Sequence, residues 1–322
     1  MQKKQNALLL STDTLPNYWL DLIFSIAKSN WFDGIDLAMR KWFDARDEEY
    51  VQKLSLQYEM PVYVVQTSTK LNQKELEKAL DICQATNCDT ICINAPKITD
   101  FKAYDFIADN LKTYKDNNPD ILFTVRNPKD SKLFALPIPE YRFSNIIDIV
   151  KKYDCYIGLD VNNIDMDSFE NEFTRKIDDY APYISVVYIS DKTKNWKTHL
   201  VLWDWMLDLK TFFKKLKKSW YSRPMSIKLD LKPNELASKE KLKKQFKKIR
   251  TYYDKFFINL TDLNDDDDED QEKLYDLNNK APLNKEENED NSEISKNKGN
   301  KSEEKSKNNE DSKNVEKEED SE

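Results

Sequence analysis

Residues 155–192 read CYIGLDVNNIDMDSFENEFTRKIDDYAPYISVVYISDK, and this stretch contains the pattern that decides the fold. Two short runs, 156–161 and 184–189, are apolar on consecutive residues, which is typical of strands buried on both faces. The segment 167–180 between them has apolar residues at three- and four-residue spacing, which predicts a helix. A buried strand, a helix and a second buried strand indicate a parallel βαβ unit.

The same unit repeats outward from this stretch in both directions. Apolar runs that predict strands occur at residues 7–11, 34–38, 62–66, 90–94, 121–125, 156–161, 184–189 and 225–231. Helical patterns occur at residues 15–29, 72–86, 104–114, 145–153, 167–180, 207–219 and 239–256. In the second of these segments, Asn72 followed by Glu75 resembles a capping box. The alternation predicts an α/β protein with one parallel sheet.

Eight strand–helix units favour a sheet that closes on itself. An open doubly wound sheet gives the same alternation, but usually with fewer strands and a glycine-rich first turn. Here the only glycines before the C-terminal tail are Gly34 and Gly158, and neither is near the first strand. We therefore predict a single (βα)8 TIM barrel over residues 1–260, with an open sheet as the alternative.

Residues 261–322 form an acidic low-complexity tail in which aromatic and β-branched residues nearly vanish. The tail carries 23 acidic residues and 10 lysines, whereas residues 1–260 carry 41 basic and 36 acidic side chains, a net charge of +5. Such a segment buries too little apolar surface to offset its ordering entropy, and we predict that it is disordered. We expect it to act as a solubilising tail; binding a basic partner or shielding the lysine-rich helices are the alternatives.

Composition limits the compartment and the chemistry. The four cysteines form no CxxC pair, which fits reduced thiols in the cytoplasm. The apolar run at residues 7–10 is too short for a signal peptide or a membrane span, so we expect a cytoplasmic protein without a membrane partner. His199 is the single histidine, and no glycine-rich phosphate loop or nucleophile motif is present.

In a TIM barrel the reactive groups come from the C-terminal ends of the strands and the loops that follow them. Polar side chains at those positions of this sequence are Ser11, Thr12, Asp13, Asp36, Arg40, Asn94, Arg126, Asn127, Asp160, Asn162, Asn163, Tyr188, Ser190, Asp191, Lys192, Lys228 and Asp230.

Several of the same segments carry a resemblance to a known family. CYIGLDVNNI resembles the sixth strand, and ISVVYISDK the seventh strand, of xylose-isomerase-like barrels, the superfamily of sugar phosphate isomerases and epimerases and of endonuclease-IV-like proteins. FDGIDLA is similar to their second strand and LFTVRNP to their fifth. The stretch from residue 198 to 231 is similar to the segment that follows the seventh strand, although Trp203-Asp204-Trp205 stands where that family has Gly-x-Gly.

The resemblance implies a divalent cation, Mn or Mg, held by a glutamate, an aspartate, a histidine and a second glutamate on strands five to eight. At those positions this sequence has Arg126, Asp160, Tyr188 and Lys228, and Asn163 stands where a nearby histidine is expected. One ligand of the four remains. We expect no metal and no other cofactor, unless the strand registers are shifted by two residues.

Two interpretations of these changes remain open. Arg126 and Lys228 could form a buried ion-paired cluster with Asp160 and Asp230, which would fill the mouth of the barrel. Alternatively, the cluster is open and its positive charge binds a sugar phosphate or another small anion. The side chains that would line such a ligand site are Arg126, Asn127, Asn163, Asp191, Lys192, His199 and Trp203.

The sequence therefore predicts a diverged sugar-isomerase-like barrel that has lost metal-dependent activity and acts as a binding or scaffold protein. The alternative is an isomerase or epimerase for a sugar or sugar phosphate that uses Asp160, Lys228 and Tyr188 as acid–base groups without a metal. We do not expect nucleic acid as a partner, because we interpret the lysine-rich segments at residues 214–218 and 241–250 as solvated helix faces. A polyanion-binding patch is the alternative for those segments.

Overall fold

The computed structural model describes residues 3–39, 43–94, 101–127, 132–133, 136–137, 150–151, 153–164, 169, 173–193, 197–202 and 207–260. The predicted disordered tail lies outside these residues. Among the helices of the described part, none combines the length and the apolar character that crossing a membrane requires.

Eight parallel strands close into a barrel, as the alternating pattern predicts. Their bounds are β1 (Leu8–Ser11), β2 (Gly34–Ala38), β3 (Val62–Gln66), β4 (Thr90–Ile93), β5 (Leu122–Arg126), β6 (Tyr156–Asp160), β7 (Ile184–Ile189) and β8 (Met225–Ile227). Each strand pairs with its neighbours in the chain, and β1 closes the ring against β8 through Leu8–Met225 and Leu10–Ile227. The open sheet is thereby excluded. A short antiparallel hairpin, Lys132–Leu133 with Leu136–Pro137, follows β5.

The outer layer consists of helices that follow the strands in the chain. Their bounds are α1 (Leu20–Ser29), α2 (Glu48–Tyr58), α3 (Gln73–Thr86), α4 (Phe101–Asn117), α5 (Ile177–Tyr180), α6 (Leu209–Lys218), α7 (Pro233–Leu236) and α8 (Lys239–Tyr253), with a π-helical turn at Asp254–Ile258. The predicted helix at residues 145–153 lies largely outside the described residues. Of the helix predicted at 167–180, residue 169 and residues 173–180 are described, and they contain a 3₁₀ turn at Thr174–Lys176 followed by α5.

Helix caps explain where several helices begin. The Asn72 side chain accepts a hydrogen bond from the backbone N–H of Glu75 (3.0 Å), so α3 begins at the predicted residue. The reciprocal half of the predicted capping box is absent, because the Glu75 carboxylate instead pairs with Arg46 and accepts from the N–H of Ser68. That carboxylate therefore ties α3 to the loops after β2 and β3.

The first helix begins five residues later than predicted. A 3₁₀ turn at Thr12–Thr14 follows β1, and α1 begins at Leu20. Pro16 disfavours helical backbone at Leu15. Thr14 also donates to the carbonyl of Ile227 (3.0 Å) and accepts from the N–H of Leu229 (3.1 Å). These bonds hold the loop after β1 against the end of β8.

The barrel interior changes from apolar to polar along its axis. Leu9, Val64, Cys92 and Val186 form a compact apolar cluster in the middle of the barrel. Toward the C-terminal ends of the strands, the buried side chains include Ser11, Gln66, Arg126 and Asp160, together with Asp36 and Ser226 from the middle of β2 and β8. Because inward-facing residues alternate along a strand, these polar groups share one end of the barrel, which is called the mouth below.

Candidate functional site

Arg126, at the end of β5, is the central cation of the mouth. It is 5% exposed, and its two terminal nitrogens donate to Asn94 Oδ1 and to Gln66 Oε1, both at 2.8 Å. Burial lowers the pKa of Arg126. The acidic groups around it, which include Tyr188, Asp160 and Asp36, raise the pKa by more, so it lies above its ordinary value. The guanidinium is therefore a permanent charge that neutral amide oxygens hold in place.

Tyr188 lies directly beneath this guanidinium. The Arg126 Cζ is 3.8 Å from the centre of the Tyr188 ring, which is a cation–π contact, and the tyrosine has no exposed surface. Gly158 makes room for the ring: a Cβ there would lie 2.9 Å from Cys92 Sγ and 3.4 Å from Tyr188 Cε2. Burial raises the pKa of Tyr188 well above its ordinary value. This position gives the predicted acid–base role of Tyr188 little support.

Asp36, in the middle of β2, is a fully buried acid close to Arg126. Its Oδ2 accepts hydrogen bonds from Ser226 Oγ and Gln66 Nε2, both at 2.6 Å. Burial raises the pKa of Asp36, although the bond from Ser226 and the charge of Arg126 oppose this. Because Gln66 binds Arg126 through its oxygen and Asp36 through its nitrogen, one amide links the buried cation to the buried acid.

Lys228, which follows β8, pairs with an acid that was not predicted for it. Its Nζ is 3.2 Å from Asp13 Oδ2, and the two side chains are 17% and 9% exposed. The expected partners were Asp160 and Asp230, but Asp230 is exposed and neither forms an ion pair with Lys228. The expected four-membered cluster is therefore replaced by the pair Lys228–Asp13 and the network around Arg126.

Asp160, at the end of β6, is held by its backbone. Asn127 Oδ1 accepts from the N–H of Asp160 (2.6 Å), and Asn127 Nδ2 donates to its carbonyl (3.1 Å). Asn163 Nδ2 in turn donates to the carbonyl of Asn127 (2.8 Å). One carboxylate oxygen of Asp160 accepts from the N–H of Asn162 at 3.2 Å. Asn127 and Asn163 thus join the loops after β5 and β6, and they orient Asp160.

His199 belongs to the same mouth. Its Nδ1 is 3.2 Å from Ser190 Oγ, and its backbone lies in the left-handed region at φ 60°. Burial lowers the pKa of His199; Asp160 raises it and Lys228 lowers it, and the net direction is downward. The imidazole is therefore neutral at pH 7 and lies within electrostatic range of Asp160 and Lys228.

Asp191 and Lys192 stabilise the loop after β7. Asp191 Oδ1 accepts from the N–H groups of Lys192 (2.8 Å) and Leu207 (3.2 Å), and Asp191 also forms a β-bridge with Leu200. Lys192 is 2% exposed, and its ammonium donates to the carbonyl of Ile164. Asp191 and Lys192, which were predicted to contact a ligand, thus make contacts within the protein's own loops. The predicted ligand residue Trp203 lies outside the described residues.

Comparisons with solved structures find the same barrel in sugar-processing and DNA-repair proteins. D-allulose 3-epimerase from Methylomonas sp. matches with 14% identity and a TM-score of 0.58, over 77% of this chain and 98% of that chain. A xylose isomerase domain protein from Salmonella typhimurium LT2 matches with 13% identity and a TM-score of 0.59, over 78% and 98%. An AP endonuclease of family 2 from Brucella melitensis matches with 15% identity and a TM-score of 0.56, over 72% and 97%.

The chain has the xylose-isomerase-like TIM-barrel fold. At identities this low the similarity concerns the fold alone, and the activities of these proteins are not thereby those of this chain. No protein-family model and no curated protein matches the sequence.

The divalent metal that this xylose-isomerase-like fold implies does not fit the residues at the corresponding positions. A dication needs several oxygen or imidazole ligands. Arg126 and Lys228 are cations, and Tyr188 is fully buried, which leaves Asp160 as the one carboxylate of the four. Among the residues that the structure describes, no three His, Cys, Asp or Glu side chains are grouped closely enough to hold an ion.

Two acids change the charge that the sequence predicts for this xylose-isomerase-like mouth. Asp13 and Asp36 were candidates by position, but the predicted charge included only Arg126, Lys228 and Asp160. With them, this set contains three carboxylate side chains and two cations, and burial raises the pKa of Asp36. The net positive mouth expected from the sequence is not present among these residues. The missed signal was a polar residue, Asp36, inside an otherwise apolar strand.

Proposed function

We propose that this protein is a diverged sugar-isomerase-type barrel that no longer uses a divalent metal and acts as a binding or scaffold protein. The observation that carries the proposal is the environment of Arg126, a buried cation stacked 3.8 Å over Tyr188 and bonded to Asn94 and Gln66. A dication next to this fixed charge would be repelled, and too few ligands would offset its dehydration.

The arrangement of the other charges also supports a mouth whose charged side chains stabilise the fold. The amide of Gln66 links Arg126 to Asp36, and Lys228 pairs with Asp13. Partnered buried charges are retained in packed structures, because removing one partner leaves the other uncompensated. The three carboxylate side chains beside the two cations weaken the case for a sugar phosphate or another small anion, which is tested in parallel.

A thermal-shift titration of the full chain with Mn, Mg, Co and Zn, against a chelator control, tests the proposal. We expect no saturable rise in melting temperature with any of the four ions, because a bound ion would stabilise the native state by mass action. A saturable rise with one ion would contradict the proposal. The same titration with a sugar phosphate tests whether the mouth binds an anion.

The second candidate function is a metal-free isomerase or epimerase, and one observation favours it. The charges of Asp160 and Lys228 both act on the imidazole of His199 at the mouth, and the Lys228 side chain is 17% exposed. A carboxylate and a neutral imidazole are suitable bases, and an ammonium is a suitable acid. In this version His199 takes the place of the fully buried Tyr188.

Solvent exchange tests this second candidate without knowledge of the product. Incubation of a ketose panel with the protein in D2O should give deuterium next to the carbonyl carbon, detected by NMR, if proton transfer occurs. Asp160→Asn and Lys228→Met should abolish the exchange, whereas Lys53→Met, on the surface of α2, should leave it unchanged. Absence of exchange with the wild-type chain would support the binding or scaffold function.

A further inference from the structure

The outer surface of the barrel has one strongly basic region, which consists of α6 and α8. Together these helices carry 12 basic residues and one acidic residue. Residues 1–260 carry 41 basic and 36 acidic side chains, so the remainder of the barrel has 29 basic and 35 acidic. The positive charge of the barrel therefore comes entirely from these two helices, which we call the basic face.

Other helices of the barrel do not share this composition. α1 to α4 carry seven basic and nine acidic residues in total. Their lysines include Lys28 and Lys78, which pair with Glu59 and Glu48. A solvated outer face needs only such mixed charges, so solvation alone does not explain the composition of the basic face.

The lysines of the basic face have no acidic partner among the residues that the structure describes. Eleven of them lie on the two helices: Lys210, Lys214, Lys215, Lys217, Lys218, Lys239, Lys241, Lys243, Lys244, Lys247 and Lys248. None forms an ion pair within the described part of the chain, whereas Arg250 of α8 pairs with Asp33 and Asp254. Unpaired like charges repel one another, and an anionic partner bound across them would relieve this repulsion.

Aromatic side chains join the two helices at the end of α8. Phe213 of α6 contacts Tyr252 with ring centres 6.0 Å apart, and Tyr252 contacts Phe256 at 4.5 Å. Tyr252 and Phe256 are only partly buried. Lys210 Nζ lies over the Phe256 ring at 5.9 Å from its centre, and this places the first turn of α6 against the end of α8.

The spacing of these residues gives each helix one charged stripe. Lys244, Lys248 and Tyr252 are four residues apart and share one side of α8, and Phe256 follows after four more. Lys210, Lys214 and Lys217 share one side of α6. The two stripes meet at Phe256. Trp220, directly after α6, is 92% exposed.

We propose that the basic face binds a single-stranded polynucleotide. Rows of lysines without partners neutralise backbone phosphates, and partly exposed aromatic rings between them offer stacking surfaces for unpaired bases. An acidic polypeptide would satisfy the lysines, but it would make no use of Tyr252, Phe256 and Trp220. The inference is independent of the proposed function of the mouth, because α6 and α8 lie on the outside of the barrel.

Fluorescence anisotropy of the full chain with labelled 20-nucleotide oligo(dT) and oligo(U) at low salt tests this proposal. The test variant reverses four exposed or half-buried lysines: Lys214→Glu, Lys218→Glu, Lys244→Glu and Lys248→Glu. The matched control makes the same change in net charge on α2, α3 and α4: Lys53→Glu, Lys74→Glu, Lys102→Glu and Lys112→Glu. None of the eight makes a ring contact or an ion pair in the described part of the chain.

We expect the wild-type chain and the control to bind, and the test variant to bind at least about tenfold more weakly. The slope of log K against log salt should become shallower by about three in the test variant, because each lost phosphate contact removes about 0.7 for a single strand. Equal weakening in the control would contradict a localised face. Four Lys→Gln substitutions at the test positions repeat the measurement if charge reversal impairs folding.

The contribution of aromatic stacking to binding distinguishes a polynucleotide from an acidic polypeptide as the partner. Trp220→Leu combined with Phe256→Leu should weaken oligonucleotide binding about fivefold or more and leave poly-glutamate binding unchanged. Equal affinity for poly-glutamate and the oligonucleotides, or no effect of the two substitutions, would contradict the proposal. Preference for oligo(U) over oligo(dT), or the reverse, identifies RNA or DNA as the source of the strand.

Discussion

The mouth of the barrel and the basic face contain the same kinds of charged side chain in opposite states. In the mouth, Arg126 is bonded to Asn94 and Gln66, and Lys228 pairs with Asp13. On the basic face, eleven lysines are without an acidic partner in the described part of the chain. A family resemblance directs attention to the mouth, whereas the lysines without an ion pair in the described part of the chain are concentrated on the outside of the barrel.

The difference separates charges that hold the fold from charges that are available to a partner. Buried ions destabilise the native state unless their partners remain, so each mouth substitution should affect stability. Exposed charges affect stability little and act on association instead. The comparison therefore predicts large stability effects at the mouth and small ones on the basic face.

Arg126→Met should give the largest effect. The substitution keeps an apolar stem over Tyr188 but leaves Asp36 buried without its neighbouring cation, and it leaves the Asn94 and Gln66 oxygens without their donor. We expect the free energy of unfolding to fall by about 3–5 kcal/mol at pH 7, measured by urea denaturation. Lys244→Met on the basic face is the control, with an expected change of about 0.5 kcal/mol or less. A near-wild-type Arg126→Met would break the comparison.

Asp36→Asn should restore part of that loss in the Arg126→Met background. The amide removes the buried charge and keeps an oxygen for the bonds from Ser226 and Gln66. In a double-mutant cycle, we expect a coupling of about 0.5–3 kcal/mol between the two positions. Strict additivity would mean that Arg126 and Asp36 do not form one network.

Gly158→Ala tests the packing beneath Arg126. The added Cβ would lie 2.9 Å from Cys92 Sγ, closer than Cβ atoms approach non-bonded atoms in folded proteins. We expect a loss of about 1–3 kcal/mol in thermal or urea unfolding. Adding Cys92→Ala, which removes the opposing sulfur, should recover most of the lost stability. If stability is not recovered, the contact with Cys92 is not the cause of the loss.

The pH dependence of stability should report His199. Its pKa is lowered from the ordinary 6.5, so the unfolded chain binds the proton first as the pH falls. The stability contribution is complete above pH 6.5 and is lost as the pH falls below it toward the folded-state pKa. His199→Asn tolerates the left-handed backbone and should remove this decrease below pH 6.5. An unchanged pH profile would contradict a buried neutral imidazole.

The smallest effect is expected on the basic face. Replacing Lys214, Lys218, Lys244 and Lys248 by Gln should change the free energy of unfolding by about 0.5 kcal/mol or less per site. A cooperative loss of several kcal/mol, measured by urea denaturation, would show that these lysines hold the fold, and the comparison would fail.

The barrel could be predicted from the sequence because buried parallel strands leave a simple signal, an apolar run on consecutive residues. The positions of Arg126, Asp160 and Lys228 at the mouth follow from the same strands. Their partners do not, because pairing depends on which side chains meet across the barrel axis. Lys228 meets Asp13 on the loop after β1, more than two hundred residues earlier in the chain, which strand spacing does not specify.

The mouth also illustrates the limit of position-by-position transfer from a family. The four metal-ligand positions alone do not reveal that Gln66 and Asp36 belong to the network around Arg126. In the structure, Gln66 joins Arg126 and Asp36 into one unit. A polar residue in a run of valines, such as Gln66 after Val64 and Val65, is a signal that the sequence does contain.

Metal content tests the central claim most directly, the claim that this mouth works without a divalent ion. The full chain would be produced in medium supplemented with Mn, Co and Zn, purified without chelator, and analysed by mass spectrometry for metal per chain. The account predicts metal content well below one ion per chain, equal to that of Asp160→Asn. One ion per wild-type chain, lost in Asp160→Asn, would contradict it.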